Sequence, residues 1–175
     1  MTILGALLAG GQSSRFGSDK ALATWQGRTL IDHGLDALAS VADTVVICGR
    51  RHGDGLWLAD RPAPGLGPLG GLCAALHHAA GHGFDRVVCI GCDTPAIPPA
   101  LLRDLATIHD AAFVDDLPVI GGWPVSLAPE LDHFIATDAR RSMRGWAARA
   151  DARSIAAPPI ANITAPGDLE QLDRG

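Results

Sequence analysis

The sequence predicts an α/β protein built in three layers, with a mostly parallel sheet covered by helices on both faces. Apolar runs rich in valine and isoleucine alternate along the chain with segments of helical periodicity. The runs are continuously apolar, as expected of parallel strands that are buried on both faces. A glycine-rich segment at residues 8–20 joins the first run to the first helical segment, which is typical of a strand–loop–helix unit that binds an anion.

The first half of the chain carries the regular alternation. The predicted strands are Ile3–Leu8, Thr44–Gly49, Leu56–Ala59 and Arg86–Gly91. Three helices are predicted in this half, at Thr29–Ser40, Leu69–Gly81 and Pro98–Asp110. The third begins with a pair of prolines, which favours a helix start.

The second half is less regular. Short strands are predicted at Ala112–Val114 and Pro118–Gly121, around a turn at Asp115-Asp116. The predicted helices are Leu127–Thr137, Arg141–Ala150 and, opened by Pro166, Gly167–Asp173. Because no linker, repeat or low-complexity tract divides the chain, we expect a single domain over residues 1–175.

The composition is that of a globular protein with many turns, since 47% of the 175 residues are hydrophobic and the chain holds 21 Gly and 12 Pro. A net charge of -5 argues against nucleic acid as the main partner. The apolar stretch at residues 3–11 lacks a preceding basic segment, and no run of about 18 apolar residues occurs. We therefore expect no signal peptide, no membrane partner and a cytoplasmic protein.

The four cysteines are predicted to be reduced thiols, most of them buried. Cys89 and Cys92 have the C-x-x-C spacing, but they fall in or next to a predicted strand. Residues three apart on a strand face opposite sides, and no second C-x-x-C pair occurs. Cys48 and Cys73 complete the set, and Cys89 and Cys92 are not expected to share a metal ion.

The glycine-rich segment Leu8–Lys20 predicts a polyphosphate site. Gly10 and Gly11 allow backbone N–H groups to approach an anion, and Arg15 and Lys20 add positive charge. The spacing fits neither a Walker A loop nor the dinucleotide fingerprint G-x-G-x-x-G. A purely structural turn with solvated charges is the alternative.

Further candidate residues follow the other predicted strands, because open parallel sheets bind ligands beyond the carboxyl ends of their strands. Asp93 follows the strand Arg86–Gly91, where a carboxylate could bind Mg²⁺ beside a triphosphate or could cap the next helix. Gly67–Leu72 could pass close to a flat base or could serve as a plain turn into a helix. Asp60, seven residues earlier, is either a ligand contact or a solvated loop carboxylate.

Five arginines form a basic cluster near the end of an otherwise acidic chain. Arg140, Arg141 and Arg144 are the candidates for binding a second, phosphorylated substrate, since guanidinium groups bind phosphates well. An exposed helix face is an equally good interpretation of the cluster. His78 and His82 are spaced to share a helix face, but without an H-E-x-x-H pattern they do not predict zinc. The remaining histidines, His77 among them, form no interpretable pattern.

The pattern L-A-G-G-x-S-x-R-F-G-x-D-K-A at residues 8–21 resembles the signature of nucleotidyltransferases, most closely the molybdenum cofactor guanylyltransferase family. The resemblance extends from Thr2 to about Leu172, with further motifs at Gly67–Leu72 and Cys92–Pro95. The segment Ala161–Leu169 is similar to the family ending N-x-N-T-P-x-D-L. It departs from that ending where Thr164 replaces the second Asn and Ala165 replaces the Thr.

The resemblance implies a Rossmann-like fold of the nucleotide-diphospho-sugar transferase type, with the nucleotide on the N-terminal part and the acceptor on the C-terminal part. It implies transfer of GMP from GTP to the terminal phosphate of Mo-molybdopterin, with Mg²⁺ as cofactor and pyrophosphate as the second product. The catalytic residues would be Arg15, Lys20 and Asp93, and the metal ligands would be Asp93 and Asn162. The nucleotide-binding residues would be Leu8, Ala9, Gly10, Gly11, Lys20, Cys48, Asp60, Pro68, Gly70 and Asp93.

One departure concerns the base. The family often has Asn where this chain has Cys48, and a thiol is a weak hydrogen-bonding group. A cytidylyltransferase, a sugar-type nucleotidyltransferase and a non-catalytic nucleotide- or cofactor-binding protein therefore stay as alternatives. Molybdenum insertion proteins and apo-molybdoenzymes are the protein partners that the resemblance suggests.

Overall fold

A twisted sheet with helices on both faces forms the centre of the computed structural model, which describes residues 1–11 and 19–174. In chain order the described strands are β1 (Ile3–Leu8), β2 (Thr24–Trp25), β3 (Arg28–Thr29), β4 (Thr44–Cys48), β5 (Trp57–Leu58), β6 (Arg86–Gly91), β7 (Ala112–Val114), β8 (Gly121–Pro124) and β9 (Arg153–Ile155). The described helices are α1 (Leu30–Ala39), α2 (Pro68–Gly81), α3 (Pro99–Thr107), α4 (Ala128–Thr137), α5 (Met143–Arg149) and α6 (Pro166–Leu172).

Within the described residues, the main sheet has the strand order β5-β4-β1-β6-β8-β7-β9. β8 runs antiparallel to its neighbours β6 and β7, and the other neighbouring pairs are parallel. β2 and β3 form a separate short hairpin. The carboxyl ends of β1, β4, β5 and β6 therefore lie together at one edge of the sheet, where the predicted phosphate-binding segment begins.

Two apolar layers enclose the sheet, because alternate residues of each strand face opposite sides. Leu4 and Val87 pack with α2, α4 and α5 on one face. Leu7 and Val88 pack with α1 and α3 on the other face. The predicted three-layer fold with a mostly parallel sheet is confirmed. None of the helices in the described ranges is long and apolar enough to cross a membrane.

The helices start and end close to the predicted residues, since capping side chains mark several of their ends. The Thr29 hydroxyl accepts a hydrogen bond from Asp32 N at 3.2 Å and begins α1, while Ser142 caps α5. At α3, Pro98 occupies the N-cap and Pro99 the first helical position. Asp93 therefore does not cap the next helix, which removes the structural alternative for that carboxylate.

The strand predicted at Pro118–Gly121 is wrong. Residues 114–120 form the loop of the β7–β8 hairpin, closed by Val114 N donating to Ile120 O at 2.9 Å, and the strand follows at Gly121–Pro124. The pair Gly121-Gly122 looks like a turn in the sequence, but the backbone is crowded there. A Cβ on Gly122 would lie 2.5 Å from Arg86 Nη2. The short elements β2, β3 and β9 were not predicted.

Candidate active site

A cavity of about 280 Å³ lies at the carboxyl edge of the sheet, at the ends of β1, β4 and β6. The first turn of α2 closes one side, and Val119 of the β7–β8 loop lies opposite. The predicted nucleotide-binding residues that line the cavity are Leu8, Ala9, Gly10, Gly11, Lys20, Cys48, Asp60, Pro68 and Asp93. The cavity is also lined by Ala21, Gly67, Gly71, Gly91, Cys92 and Val119, which were not predicted individually.

Gly10 and Gly49 allow the chains that leave β1 and β4 to touch. Ala9 N donates to Cys48 O at 3.0 Å, and the next residues are the two glycines. A Cβ on Gly49 would lie 2.5 Å from Gly10 Cα, and Gly49 has a φ of +88°, which disfavours any side chain. This close approach fixes the start of the phosphate-binding segment against the neighbouring strand.

Asp60 sits in a niche between glycines. A Cβ added to Gly49 would lie 3.2 Å from Asp60 Oδ1, and a Cβ added to Gly70 would lie 3.0 Å from Asp60 Cβ. Gly70 thus supports the carboxylate from behind the cavity surface. Burial raises the pKa of Asp60 above its ordinary value. Burial makes the charged form of this carboxylate unfavourable. Because the carboxylate faces a cavity, it is suited to accept hydrogen bonds from a ligand.

Asp93 and Lys20 meet on the opposite side of the cavity. Lys20 Nζ lies 3.1 Å from Asp93 Oδ2, and their side chains are only 20% and 28% exposed. The other oxygen, Oδ1, folds back over the end of β6, so that a Cβ on Gly91 would lie 2.6 Å from it. The structure therefore brings together two of the three predicted catalytic residues. The third, Arg15, lies outside the described residues.

A second ion pair holds the segment that carries Lys20. Arg50, two residues after β4, donates to both oxygens of Asp19 at 2.7 and 2.6 Å. This bidentate contact is the main cause that lowers the pKa of Asp19. Asp19 also caps the short 3-10 turn Lys20–Leu22 by accepting from Ala21 N. Sequence reasoning missed this pair, although Arg50 follows a strand whose end was already singled out.

Asn162 lies one residue from a backbone contact with the predicted metal ligand. Ile163 N donates to Asp93 O at 2.8 Å, and the Ile163 side chain is fully buried. The C-terminal segment is therefore attached to the end of β6. Just beyond it, Asp168 Oδ2 accepts from Thr164 N and Ala165 N at 2.7 and 2.8 Å, which builds the start of α6. The C-terminal segment therefore lies close to Asp93 and also forms the start of α6.

The two cysteines at the cavity differ in exposure. Cys48 is 1% exposed, and burial raises the pKa of its thiol far above the ordinary range. Cys92 is partly exposed, and burial raises its pKa to about 11. Both are therefore protonated at neutral pH and offer a ligand a small, weakly polar surface. All four cysteines are free, as expected, with Cys48, Cys73 and Cys89 buried.

The three candidate arginines for the acceptor lie away from the lining of the cavity and are exposed. Arg141 Nε donates to Ile135 O at 3.0 Å, and Arg144 Nη1 lies 3.2 Å from Asp115 Oδ1. The backbone N–H groups of Arg140 and Arg141 both donate to Asp138 Oδ1. Their role in binding a substrate stays a prediction, and their local partners agree with an exposed helix start.

The residues around Asp93 fit a divalent metal ion that is shared with a bound phosphate. Mg²⁺ prefers carboxylate oxygens, takes few of them and completes its shell with phosphate and water oxygens. Asp93 provides such a carboxylate at the cavity wall, and the ammonium of Lys20 at 3.1 Å already shows that a cation is accommodated beside it. Charge and donor chemistry are therefore both suitable.

A family model described as "MobA-like NTP transferase domain" matches residues 5–156. The chain belongs to the MobA-like NTP transferase family. This confirms the resemblance that the sequence motifs predicted. Among the curated relatives of this MobA-like chain, the "Molybdenum cofactor guanylyltransferase" of Rhodobacter capsulatus is 37% identical over 99% of this chain and 96% of the relative. A protein of the same name from Rhizobium leguminosarum bv. trifolii is 33% identical over 98% and 92%.

Solved structures agree on the fold of this MobA-like chain. Molybdopterin-guanine dinucleotide biosynthesis protein A from Archaeoglobus fulgidus superposes with a TM-score of 0.78 at 23% identity, covering 98% of this chain and 97% of the other. The 2-C-methyl-D-erythritol 4-phosphate cytidylyltransferase from Thermus thermophilus superposes with a TM-score of 0.73 at 16% identity, covering 97% and 98%. Both structures therefore share the fold of this chain.

Proposed function

We propose that this protein transfers GMP from GTP to the terminal phosphate of Mo-molybdopterin and releases pyrophosphate. The observation that carries the proposal is the meeting of Lys20 and Asp93, 3.1 Å apart, in a cavity lined by glycines at the ends of parallel strands. Relatives of nearly the same length carry the name molybdenum cofactor guanylyltransferase, which supports this choice of substrates.

The main obstacle to the reaction is charge, because a phosphate monoester must attack the α-phosphorus of a triphosphate and both partners are anions. A P–O bond forms to the attacking oxygen, and the bond to the leaving pyrophosphate breaks. Lys20 would neutralise charge on the phosphates, together with backbone N–H groups of Gly10 and Gly11. We include Arg15 in this role on the strength of its place in the same segment. No protein nucleophile is required, so positioning and electrostatics provide the acceleration.

Mg²⁺ is the metal that we propose, held by Asp93 with Asn162 as a further ligand from the C-terminal segment. When bound, it would neutralise phosphate oxygens and align the triphosphate. Lys20 and Asp93 neutralise each other in the absence of substrate. Triphosphate binding would therefore break this ion pair, because Lys20 would bind phosphate oxygens and Asp93 would bind the metal ion.

We place the base against the wall formed by Asp60 and the first turn of α2, on the side of the cavity away from Asp93. Gly71 and Pro68 leave that wall without long side chains, and the Asp60 carboxylate is held between glycines. Such a carboxylate accepts hydrogen bonds from N–H groups of a base or from ribose hydroxyls. Guanine carries two N–H donors on one edge, and cytosine offers only its amino group.

The test is release of pyrophosphate from the purified protein supplied with Mo-molybdopterin, Mg²⁺ and either GTP, CTP or ATP. We expect the highest kcat/KM with GTP and formation of the guanine dinucleotide. Release with CTP alone would make the protein a cytidylyltransferase. Binding of nucleotide without release from any pair would identify a non-catalytic binding protein.

A further inference from the structure

A cluster of three metal-ligating side chains lies outside the cavity, between α2 and α4. Cys73 and His77 are four residues apart on α2, which places them on one face of the helix, and Asp132 faces them from α4. Cys73 Sγ lies 3.2 Å from Asp132 Oδ1, and His77 Nε2 lies 2.8 Å from Asp132 Oδ2. One ligand atom from each residue lies within 4.8 Å of the other two.

These distances are close to those of a tetrahedral metal site. With bonds of about 2.0–2.3 Å, ligand atoms around a tetrahedral ion are separated by about 3.3–3.7 Å. The two contacts to Asp132, at 3.2 and 2.8 Å, are slightly shorter than this, and no separation within one set of three ligand atoms exceeds 4.8 Å. Thiolate, imidazole and carboxylate together suit Zn²⁺ and similar transition-metal ions, and they do not suit Mg²⁺.

The surroundings leave one side of the cluster open. Cys73 is fully buried, whereas the side chains of His77 and Asp132 are 28% and 45% exposed. Water could complete the coordination from that side. Burial and the hydrogen bond to Asp132 raise the pKa of the Cys73 thiol to about 12, against a smaller lowering by the nearby Arg61 guanidinium. A metal ion would displace the thiol proton to solvent, and the bound thiolate and carboxylate would balance its two charges.

We propose that Cys73, His77 and Asp132 bind one divalent transition-metal ion. Zn²⁺ has the size and charge that suit these ligands. The ion would join α2, whose first turn forms the wall of the cavity, to α4 in the C-terminal half of the chain. Its role is to stabilise the contact between these helices. The site is separate from the proposed magnesium position, because it uses no residue that lines the cavity.

The proposal can be tested by titrating metal-free protein with Co²⁺ and recording its absorption. A thiolate ligand gives a ligand-to-metal charge-transfer band in the near ultraviolet, and tetrahedral geometry gives intense visible bands. We expect both bands at one equivalent of Co²⁺ and their loss when Zn²⁺ displaces it. Cys73→Ala should abolish the charge-transfer band, and His77→Gln and Asp132→Asn should weaken Co²⁺ binding by about tenfold or more.

Matched variants separate this site from other candidates. His78 and His82 also stand four residues apart on α2, with rings stacked at 3.9 Å, so His78→Gln is the control for a two-histidine site. Cys92→Ala is the control for the partly exposed thiol near Asp93. Both should keep the bands. Absence of the charge-transfer band in the wild type, its survival in Cys73→Ala or its loss in either control would overturn the proposal.

A stability measurement gives an answer independent of the spectrum. Asp132 is about half exposed, so Asp132→Asn should fold normally. Zn²⁺ should raise the Tm of the wild type clearly more than that of Asp132→Asn at the same Zn²⁺ concentration, because the stabilisation grows with the affinity of the folded state for the ion. An equal rise in both proteins would show that Zn²⁺ binds elsewhere.

Discussion

Lys20 and Asp93 come from segments 73 residues apart in sequence, and their contact is the residue-scale feature on which the proposed chemistry depends. Each is only partly exposed, so each would be costly to keep charged without the other or without a ligand. A bound phosphate would replace Asp93 as the anion beside Lys20, and a bound metal ion would replace Lys20 as the cation beside Asp93. Under the proposed function, the pair would keep the site ready to bind a metal-bound triphosphate.

The first prediction concerns this pair. Lys20→Ala removes the cation that would meet the phosphates, and Asp93→Asn keeps the shape of the side chain but removes its charge. We expect each to lower kcat/KM for GTP by about 10²–10³-fold, the range for losing one preorganised electrostatic contact. Steady-state pyrophosphate release measures this, with circular dichroism to verify the fold. Wild-type activity in Asp93→Asn would refute the metal assignment.

The second prediction uses the contact between Gly91 and the Asp93 carboxylate. A Cβ in Gly91→Ala would lie 2.6 Å from Asp93 Oδ1, so the carboxylate must move. Because displacement of a catalytic group by about 1 Å can cost about 10²-fold, we expect a large loss of kcat with little change in Tm. Gly81→Ala is the matched control, since nothing lies within 4 Å of its added Cβ and activity should be unchanged. Equal activity of the two variants would contradict the assignment.

The third prediction is a pH dependence set by Asp60. Its pKa is raised in the folded protein above the ordinary value of 3.8, so the native state binds more protons than the unfolded state between the two values. Stability therefore falls as pH rises through this window and stays lower above it. Asp60→Asn should raise the free energy of unfolding at pH 7, with a gain that disappears below the ordinary pKa, while nucleotide affinity falls.

Urea denaturation at several pH values measures the Asp60 effect. Asp54→Asn, at an exposed position a few residues earlier, controls for the change in net charge. If Asp60→Asn lost stability at pH 7, its carboxylate would be a structural group, and the niche would not be a ligand site.

At the scale of elements, the regular half of the fold was predictable because each element carries its own local signal. β1 and β6 are continuous apolar runs with the predicted bounds, and α1 is bounded by Thr29. Asp60 and Asp93 were singled out because parallel strands bring their carboxyl ends to one edge, and Lys20 was singled out by the glycine-rich segment. All three line the cavity at that edge.

The elements and contacts that were missed depend on distant parts of the chain. The two glycines that begin β8 are crowded by distant residues, Gly121 by Ala112 O and Gly122 by Arg86, which no local pattern reveals. Asp132 meets Cys73 and His77 only through the packing of α4 on α2. The spacing of Cys73 and His77 was visible in the sequence, but their partner 55 residues later was not.

The fourth prediction tests this crowding at β8. Arg86 is 1% exposed and donates to the carbonyls of Leu105, His109 and Asp110, at and just beyond the C-terminal end of α3. A Cβ in Gly122→Ala would lie 2.5 Å from Arg86 Nη2 and 2.6 Å from Leu105 O. We expect a loss of about 1–3 kcal/mol in the free energy of unfolding, as for other overpacked cores.

Urea denaturation measures the effect at Gly122. Gly167→Ala is the control, because nothing lies within 4 Å of its added Cβ. An unchanged midpoint in Gly122→Ala would mean that Arg86 moves freely and does not determine the sequence of β8.

At the scale of the whole molecule, the two halves of the chain meet at the site. Lys20 comes from the N-terminal half and Asp93 from just past the midpoint, and the C-terminal segment is attached by the hydrogen bond from Ile163 N to Asp93 O. The Arg50–Asp19 ion pair attaches the phosphate-binding segment to β4 in the same region. A ligand that fills the cavity would contact segments between Leu8 and Val119, and its binding should stabilise the fold as a unit.

The fifth prediction follows from this linkage. A ligand at about 100 times its Kd adds about 2.7 kcal/mol of stability, which raises the Tm of a protein of this size by about 5–10 °C. We expect that rise with GTP and Mg²⁺ and a much smaller one with CTP and Mg²⁺, measured by differential scanning calorimetry. In Asp93→Asn the GTP shift should lose its dependence on Mg²⁺, because the carboxylate that binds the ion is gone. A shift that is equal for GTP and CTP would exclude base selection by the Asp60 wall, and a Mg²⁺-dependent shift that persists in Asp93→Asn would place the metal elsewhere.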